Sequence, residues 1–312
     1  MEEPFVIDIL LSAYNGERYL PELLESLERQ SRRDFRVIAR SDGSTDGTLA
    51  LLRAQSARDG RFTALDGAPS GSASGGFFAA LALSYGDYAM FCDQDDVWHR
   101  NKVERTLTVM RTAEECCGKD TPILVHTDLR VVDGRLRQLS PSMMRSQLLC
   151  PERCDLPRLL CQSLVTGCTV MINAPLRELV LSALPEKCLM YDWWISLVAE
   201  AFGRIVYMNE ATIDYRQHGE NQVGAKDVRS AEYLLRRLGQ GQELRQSLLD
   251  TCGQAGEFLR CFGGRLTPEQ RVLVRSYAAL PSLPKGERLR TARRLGTLKC
   301  GALRRVGQML FL

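Results

Sequence analysis

No uninterrupted apolar stretch in the 312 residues approaches the about 20 needed to cross a bilayer as a helix. The N-terminus, Met1-Glu2-Glu3-Pro4, carries no basic segment and no small-residue cleavage site follows it, so a secretory leader is not expected. Histidine is scarce, with three in the chain, and none stands near Cys150, Cys154 and Cys161, whose spacing matches no zinc motif. The eleven cysteines, an odd number scattered along the chain, are expected to be reduced and mostly buried thiols of a cytoplasmic protein. A glycine-rich loop with an early lysine or arginine, which a nucleotidyltransferase would want, is missing. An Asp-x-Asp phosphatase would carry its nucleophile after the first strand, where Ser12 to Gly16 stand instead. A charge excess of one sign is lacking over most of the chain. Residues 285–312 hold eight lysines and arginines against the single Glu287, a net +7, which leaves −4 for the rest of a chain whose total is +3. General nucleic-acid binding is therefore not expected.

What is present is ordinary globular composition, 45% hydrophobic and 25% charged. Residues 5–13 are nearly continuous apolar residues that end in Tyr14-Asn15-Gly16, a strand running into a turn. Leu20, Leu23, Leu24 and Leu27 recur at helical spacing. Residues 35–39 read as a second strand, the polar loop 41–48 as a turn with Thr45 or Asp46 placed to cap a second helix, and residues 62–65 as a third strand. A Gly/Ser-rich loop over 67–76 precedes a third helix; 88–92 is a fourth strand and 102–115 a fourth helix. Strand alternating with helix four times predicts a parallel sheet covered on both faces, with ligands at the carboxyl ends of its strands. Residues 123–126, 130–132, 164–172 and 204–208 read as further strands, and the chain beyond about residue 228 as helical. Thr267-Pro268-Glu269-Gln270 has the form of a capping box.

The fourth strand ends in Asp93-Gln94-Asp95-Asp96, three carboxylates in four positions. Residues two apart in an extended chain share a face, so Asp93 and Asp95 point the same way. Carboxylates this close repel unless a cation or a hydrogen-bond network compensates. A hard divalent ion with oxygen ligands would do so and keep positions open for substrate phosphates; a solvated acidic loop is the plainer alternative. Tyr14-Asn15, Asp42 and the acidic cluster all follow predicted strands, which brings them to one edge of the sheet.

Taken in order, Ser12-Ala13-Tyr14-Asn15-Gly16, Asp42-Gly43-Ser44-Thr45-Asp46-Gly47-Thr48, Asp93-Gln94-Asp95-Asp96-Val97-Trp98, Gly167-Cys168-Thr169, Tyr191-Asp192-Trp193-Trp194 and Tyr215-Arg216-Gln217-His218-Gly219-Glu220-Asn221 resemble the successive motifs of family 2 glycosyltransferases with the GT-A fold. The last two resemble the bacterial rhamnosyltransferase-like branch. The resemblance implies an α/β fold, a Rossmann-like and mostly parallel sheet flanked by helices, over residues 1–225, and a helical extension over 226–312. It implies inverting transfer of a sugar, with dTDP-rhamnose one donor, from a dTDP- or UDP-linked nucleotide sugar to a saccharide or lipid-linked saccharide acceptor. Ser12, Tyr14, Asp42 and Asp95 would hold the nucleotide. Asp93, Asp95, Asp96 and His218 would hold Mn²⁺ or Mg²⁺, Arg216 a phosphate, and Asp192 would be the general base. Gly167 would let an acceptor approach the backbone, and Trp193 and Trp194 would stack on sugar or desolvate Asp192.

The sequence departs from the family pattern at Ser41, where an acid is usual, and at Gly75-Gly76, where relatives often carry an amide or a basic residue. These departures keep a non-catalytic carbohydrate- or nucleotide-binding scaffold as the alternative. In the tail, arginines alternate with leucines, a pattern suited either to an anionic membrane surface at the inner face of the plasma membrane or to a helix packed on the domain.

Overall fold

The computed structural model describes residues 7–218 and 241–312. Its centre is a nine-stranded sheet built from β1 (Ile7–Ala13), β2 (Phe35–Asp42), β3 (Phe62–Gly67), β4 (Tyr88–Asp93), β5 (Val97–Trp98), β6 (Ile123–Val132), β7 (Gln138–Ser140), β8 (Val170–Asn173) and β9 (Arg204–Arg216). The strand order is β3-β2-β1-β4-β8-β6-β9-β5, with β7 on the side of β6. The first four sequence-predicted strands run parallel around β1, in a register that sets Ser12 beside Asp93. β8 enters antiparallel between β4 and β6, and β6 pairs β9 in parallel. The sheet is thus parallel in its N-terminal half and mixed beyond it.

The helices are α1 (Leu20–Glu28), α2 (Thr48–Arg58), α3 (Ala73–Leu81), α4 (Lys102–Cys117), α5 (Met143–Ser146), α6 (Leu156–Cys161), α7 (Ala174–Leu181), α8 (Tyr191–Phe202), α9 (Gly241–Phe262), α10 (Pro268–Ala278), α11 (Lys285–Leu295) and α12 (Ala302–Phe311). Alternation along β1 sorts them. Ile7, Ile9, Leu11 and Ala13 face one core with Leu20, Leu23 and Leu27 of α1 and with Val103, Leu107 and Met110 of α4. Leu10 faces the other core, which holds Phe77 of α3, Leu160 of α6, Trp194 of α8 and Phe258 of α9. The C-terminal helices therefore share a hydrophobic core with the sheet domain, and the boundary expected at 225/226 falls outside the described residues. The capping box forms as expected: Thr267 accepts from the Gln270 N–H, and the Gln270 side chain accepts from the Thr267 N–H.

Two sequence readings change. The strand expected over 164–172 is confined to β8, because residues 167–169 form a 3₁₀ turn in which the Thr169 hydroxyl bonds back to the Thr166 carbonyl at 2.6 Å. The strand expected over 204–208 continues to Arg216, so Tyr215 and Arg216 belong to β9 and are fixed by its pairing with Val131 and Val132.

Candidate functional site

One large cavity, of about 1040 Å³, opens at the carboxyl ends of β1, β2 and β4. Its wall holds Ser12, Tyr14, Asp42, Asp93, Asp95, Asp192 and His218. The topology that ends three parallel strands at one edge gathers the first five of these. The turn after β9 and the first turn of α8 bring the other two.

The loop after β1 is held by its neighbours. The Gln94 side-chain amide clamps Tyr14, accepting from its N–H at 2.7 Å and donating to its carbonyl at 2.9 Å. Asn15, in the left-handed region at φ 49°, accepts from the Thr45 N–H at 2.9 Å. This holds the Tyr14 ring out at the cavity wall, 59% exposed. Asp42 accepts from the Ser70 hydroxyl at 2.6 Å and the Ser70 N–H at 3.0 Å, and Arg40 pairs with it as well. Burial alone would raise its pKa, but the Ser70 hydroxyl and the Arg40 guanidinium outweigh burial and hold it below the usual carboxylate range. A Cβ on Gly76 would stand 2.4 Å from the Ser12 hydroxyl oxygen, so a larger residue there would collide with Ser12.

The acidic cluster divides in two. Asp95 reaches the cavity, where its Oδ2 lies 2.8 Å from His218 Nε2, and the His218 ring stacks on Tyr19 with centroids 4.8 Å apart. Asp93 lines the cavity floor. Burial, then the charges of Asp95 and Asp192, push its carboxyl up to about 7. Asp96, expected with Asp93 and Asp95 at the metal, lies behind them: its side chain is fully enclosed, and it accepts from the Arg216 N–H at 3.3 Å. Ligand atoms of Asp93, Asp96 and Cys168 lie within 4.8 Å of one another. Buried carboxylates, and beside them a carboxylate–imidazole pair open to the cavity, form a donor set that fits a divalent cation. Asp93, Asp95 and Asp96, with His218, are the residues that would hold it.

Asp192, 9% exposed, sits in the first turn of α8 and faces the cavity. It accepts from the Gly167 N–H at 2.8 Å and its own neighbour's N–H, that of Trp193, at 2.7 Å. Burial raises its pKa to about 6 against these two donors.

Four expectations are corrected by packing. A Cβ on Gly167 would stand 1.9 Å from the Tyr191 hydroxyl, so the open side of this glycine receives Tyr191 rather than an acceptor. Trp194 is 0% exposed between Phe258 and Phe262, which makes it core. The Trp193 indole donates to the Leu159 carbonyl at 2.5 Å and packs against the same core, off the cavity wall. Arg216, 1% exposed, donates to the carbonyls of Asp95 and Gly134, each at 2.9 Å, and pairs with Glu22. It braces the acidic loop from behind instead of meeting a phosphate. Sequence reasoning overlooked Tyr19, Gln94, Tyr191, Gln147, Gln162 and Arg304, which all line the cavity. Gln94, inside the acidic motif, and Tyr191, at the head of the Asp192 motif, carried a local signal. Gly219, Glu220 and Asn221 of the last motif lie outside the described residues.

Residues 8–137 match the family model of glycosyl transferase family 2. An uncharacterised glycosyltransferase of Nostoc sp. is 26% identical over 222 residues, covering 69% of this chain and 66% of the relative, so the match spans just under two thirds of that protein's length. A dTDP-rhamnosyl transferase, RfbG of Shigella flexneri, is 25% identical over 242 residues, 73% of this chain and 78% of the relative. Among solved structures, TarS of S. aureus (residues 1–349, in complex with UDP-GlcNAc) superposes with a TM-score of 0.56 at 16% identity, covering 98% of this chain and 88% of that one. A mannosyltransferase of Pyrobaculum calidifontis, in complex with GDP-Man and Mn²⁺, superposes with a TM-score of 0.54 at 15% identity over 94% of this chain and 74% of that one. The motifs at the ends of β1, β2 and β4 lie within the residues that resemble glycosyl transferase family 2, and the chain has the GT-A fold of these solved structures.

Proposed function

We propose that the chain is an inverting glycosyltransferase that moves a sugar from a nucleotide diphosphate donor to an acceptor hydroxyl in cell-surface polysaccharide or glycolipid synthesis. The observation that carries the reading is the convergence, in one cavity, of an acid pair with an imidazole (Asp93, Asp95, His218) and a separate buried carboxylate (Asp192). The first set suits a nucleotide diphosphate with its divalent cation. The second suits a general base, which must take the acceptor's proton as the new bond forms. Bound there, a divalent cation would neutralise charge building on the departing diphosphate.

The chain's own residues supply the rest. Tyr14 offers an aromatic wall for the base, with Ser12 and Asp42 beside it for its polar edge. The N–H groups of Gly167 and Trp193 fix the direction of the Asp192 carboxylate. Its pKa of about 6 leaves it mostly ionised at neutral pH, yet basic enough to hold a proton in the transition state. The relative named as a dTDP-rhamnosyl transferase favours rhamnose and a dTDP carrier. The excess of basic residues over 285–312 favours a place at the cytoplasmic face of a membrane.

The alternative, a non-catalytic carbohydrate- or nucleotide-binding scaffold, rests on the departure from the family pattern at Gly75-Gly76. Calorimetric titration with dTDP, UDP and GDP, each with and without Mn²⁺, on the wild type and on Asp95→Ala, tests the donor site. Mn²⁺-dependent binding of one pyrimidine diphosphate, lost in Asp95→Ala, is expected. No binding of any nucleotide would remove the basis of the transferase reading.

A further inference from the structure

The last helix, α12, presents opposite sides to the core and to solvent. Gln308 and Leu312 are buried, the Gln308 amide donating to the Thr297 carbonyl at 2.8 Å. The Arg304 guanidinium lines the cavity and donates to the Gln147 carbonyl at 2.5 Å. The other side carries Leu303, Val306 and Leu310, exposed by 48%, 54% and 51%. At 3.6 residues per turn these three fall within about 60° of one another on the helix, opposite the buried Gln308. Leu148, 41% exposed, abuts Gly301 at the start of the helix and extends the same apolar surface towards the cavity-lining Gln147 and Leu149.

Charge surrounds this surface. Arg305 on the same helix is exposed, as are Arg290, Arg293 and Arg294 on α11. Arg293 lies against α12, its Nη2 3.6 Å from the Met309 sulfur. The only acid over residues 285–312 is Glu287, at the far end of α11. An apolar stripe with such a rim of cations complements a surface that is apolar within and anionic at its edge. A folded partner would need a matching ring of acids around an apolar centre. A bilayer with anionic headgroups offers that arrangement everywhere.

We propose that the exposed stripe Leu303–Val306–Leu310, with Leu148 and the arginines of α11 and α12, docks on an anionic phospholipid bilayer and holds the cavity rim at Gln147, Leu149 and Arg304 against it. This rests on the transferase reading for its consequence: the acceptor is a saccharide borne on a membrane lipid, which reaches the cavity along that rim. The docking itself is independent of catalysis.

The test is flotation of the full chain with vesicles of phosphatidylglycerol and phosphatidylcholine in equal parts and with vesicles of phosphatidylcholine alone, in low and high salt. The variants are Val306→Glu/Leu310→Glu and Arg293→Gln/Arg305→Gln, none of them on the cavity wall. Binding to the anionic vesicles, weakened by salt and lowered about tenfold or more in both variants, is expected. Nucleotide diphosphate binding, measured on the same samples, stays at the wild-type level and shows that the variants fold. Equal binding to both vesicle types, wild-type binding by the variants, or a concentration-dependent dimer that Val306→Glu/Leu310→Glu abolishes would each overturn the proposal. Vesicle binding without any nucleotide binding would support the docking face and sink the transferase reading.

Discussion

Replacing Asp192 by asparagine isolates the proposed base. The side chain keeps its volume and stays in the first turn of α8. One amide oxygen can still accept, from the Gly167 or the Trp193 N–H, but the amide NH₂ then faces the other donor. A buried donor left facing a donor costs about 1–3 kcal/mol, so a modest loss of melting temperature is expected. Catalysis should fall much further, by about 10²–10⁴, the usual contribution of a positioned general base. The pH profile separates the two effects. In the wild type kcat/KM should fall about tenfold per unit below pH 6, because Asp192, raised to about 6, must be ionised to act. In Asp192→Asn the part of that limb due to Asp192 should vanish, leaving only what Asp93, pushed up to about 7, contributes, while nucleotide diphosphate binding stays unchanged. Steady-state transfer measured from pH 4.5 to 8, with calorimetric donor binding alongside, reads all three quantities. Retention of more than about a tenth of wild-type kcat, or an acid limb unchanged from the wild type, would refute the assignment of Asp192 as base.

His218→Ala should weaken Mn²⁺-dependent nucleotide binding about tenfold or more, since it removes the nitrogen paired with Asp95; chelation of the divalent ion should mimic it in the wild type and add little in the variant, as calorimetry would show. Trp194→Ala should destabilise the chain by about 3–5 kcal/mol through the cavity left between Phe258 and Phe262. Denaturant unfolding checks this, and an unchanged midpoint would contradict its place in the core. His126 is fully buried, with neither ring nitrogen hydrogen-bonded, and burial lowers its pKa to about 3 from 6.5. The folded chain therefore keeps it neutral while the unfolded chain takes up a proton below pH 6.5. Its contribution to stability is full above that pH and is lost at about 1.4 kcal/mol per unit between pH 6.5 and 3. His126→Phe should flatten that part of the stability–pH curve, as denaturant midpoints at successive pH values would show.

The N-terminal half of this molecule was legible because its information is local. Each strand of the β1–β4 set is a short apolar run, each is followed within a few residues by its polar loop, and parallel topology alone sends Tyr14, Asp42 and Asp95 to one edge. The alternation that separates Leu10 from Ile9 and Leu11 is visible in the sequence as well. What failed beyond that half failed for a reason that can be named. Residues 164–172 are apolar and β-branched enough to read as a strand, yet Thr166 and Thr169 offer side-chain and backbone bonds that favour a turn, and Asp192 draws the Gly167 N–H away from any ladder.

The same distinction explains the corrected site residues. A tryptophan beside a carboxylate and an arginine beside a histidine look alike in sequence whether they face a ligand or a core. The choice is made by partners far along the chain. Trp194 is claimed by Phe258 and Phe262, some sixty residues on, and Arg216 by Glu22, nearly two hundred residues back. Arg216 illustrates why the error is systematic. A side chain that donates to the Asp95 carbonyl while its own N–H donates to Asp96 holds the acidic loop in place without touching a substrate. Its burial at 1% exposure, not its neighbourhood, tells the two roles apart. The other wall of the cavity is harder still, because Gln147, Gln162 and Arg304 meet only after α6, α8 and the C-terminal helices have packed on the same core. Arg304 comes from α12 and the cover of Trp194 from α9, so the C-terminal packing that hid this wall from the sequence is also what joins the C-terminal helices to the cavity.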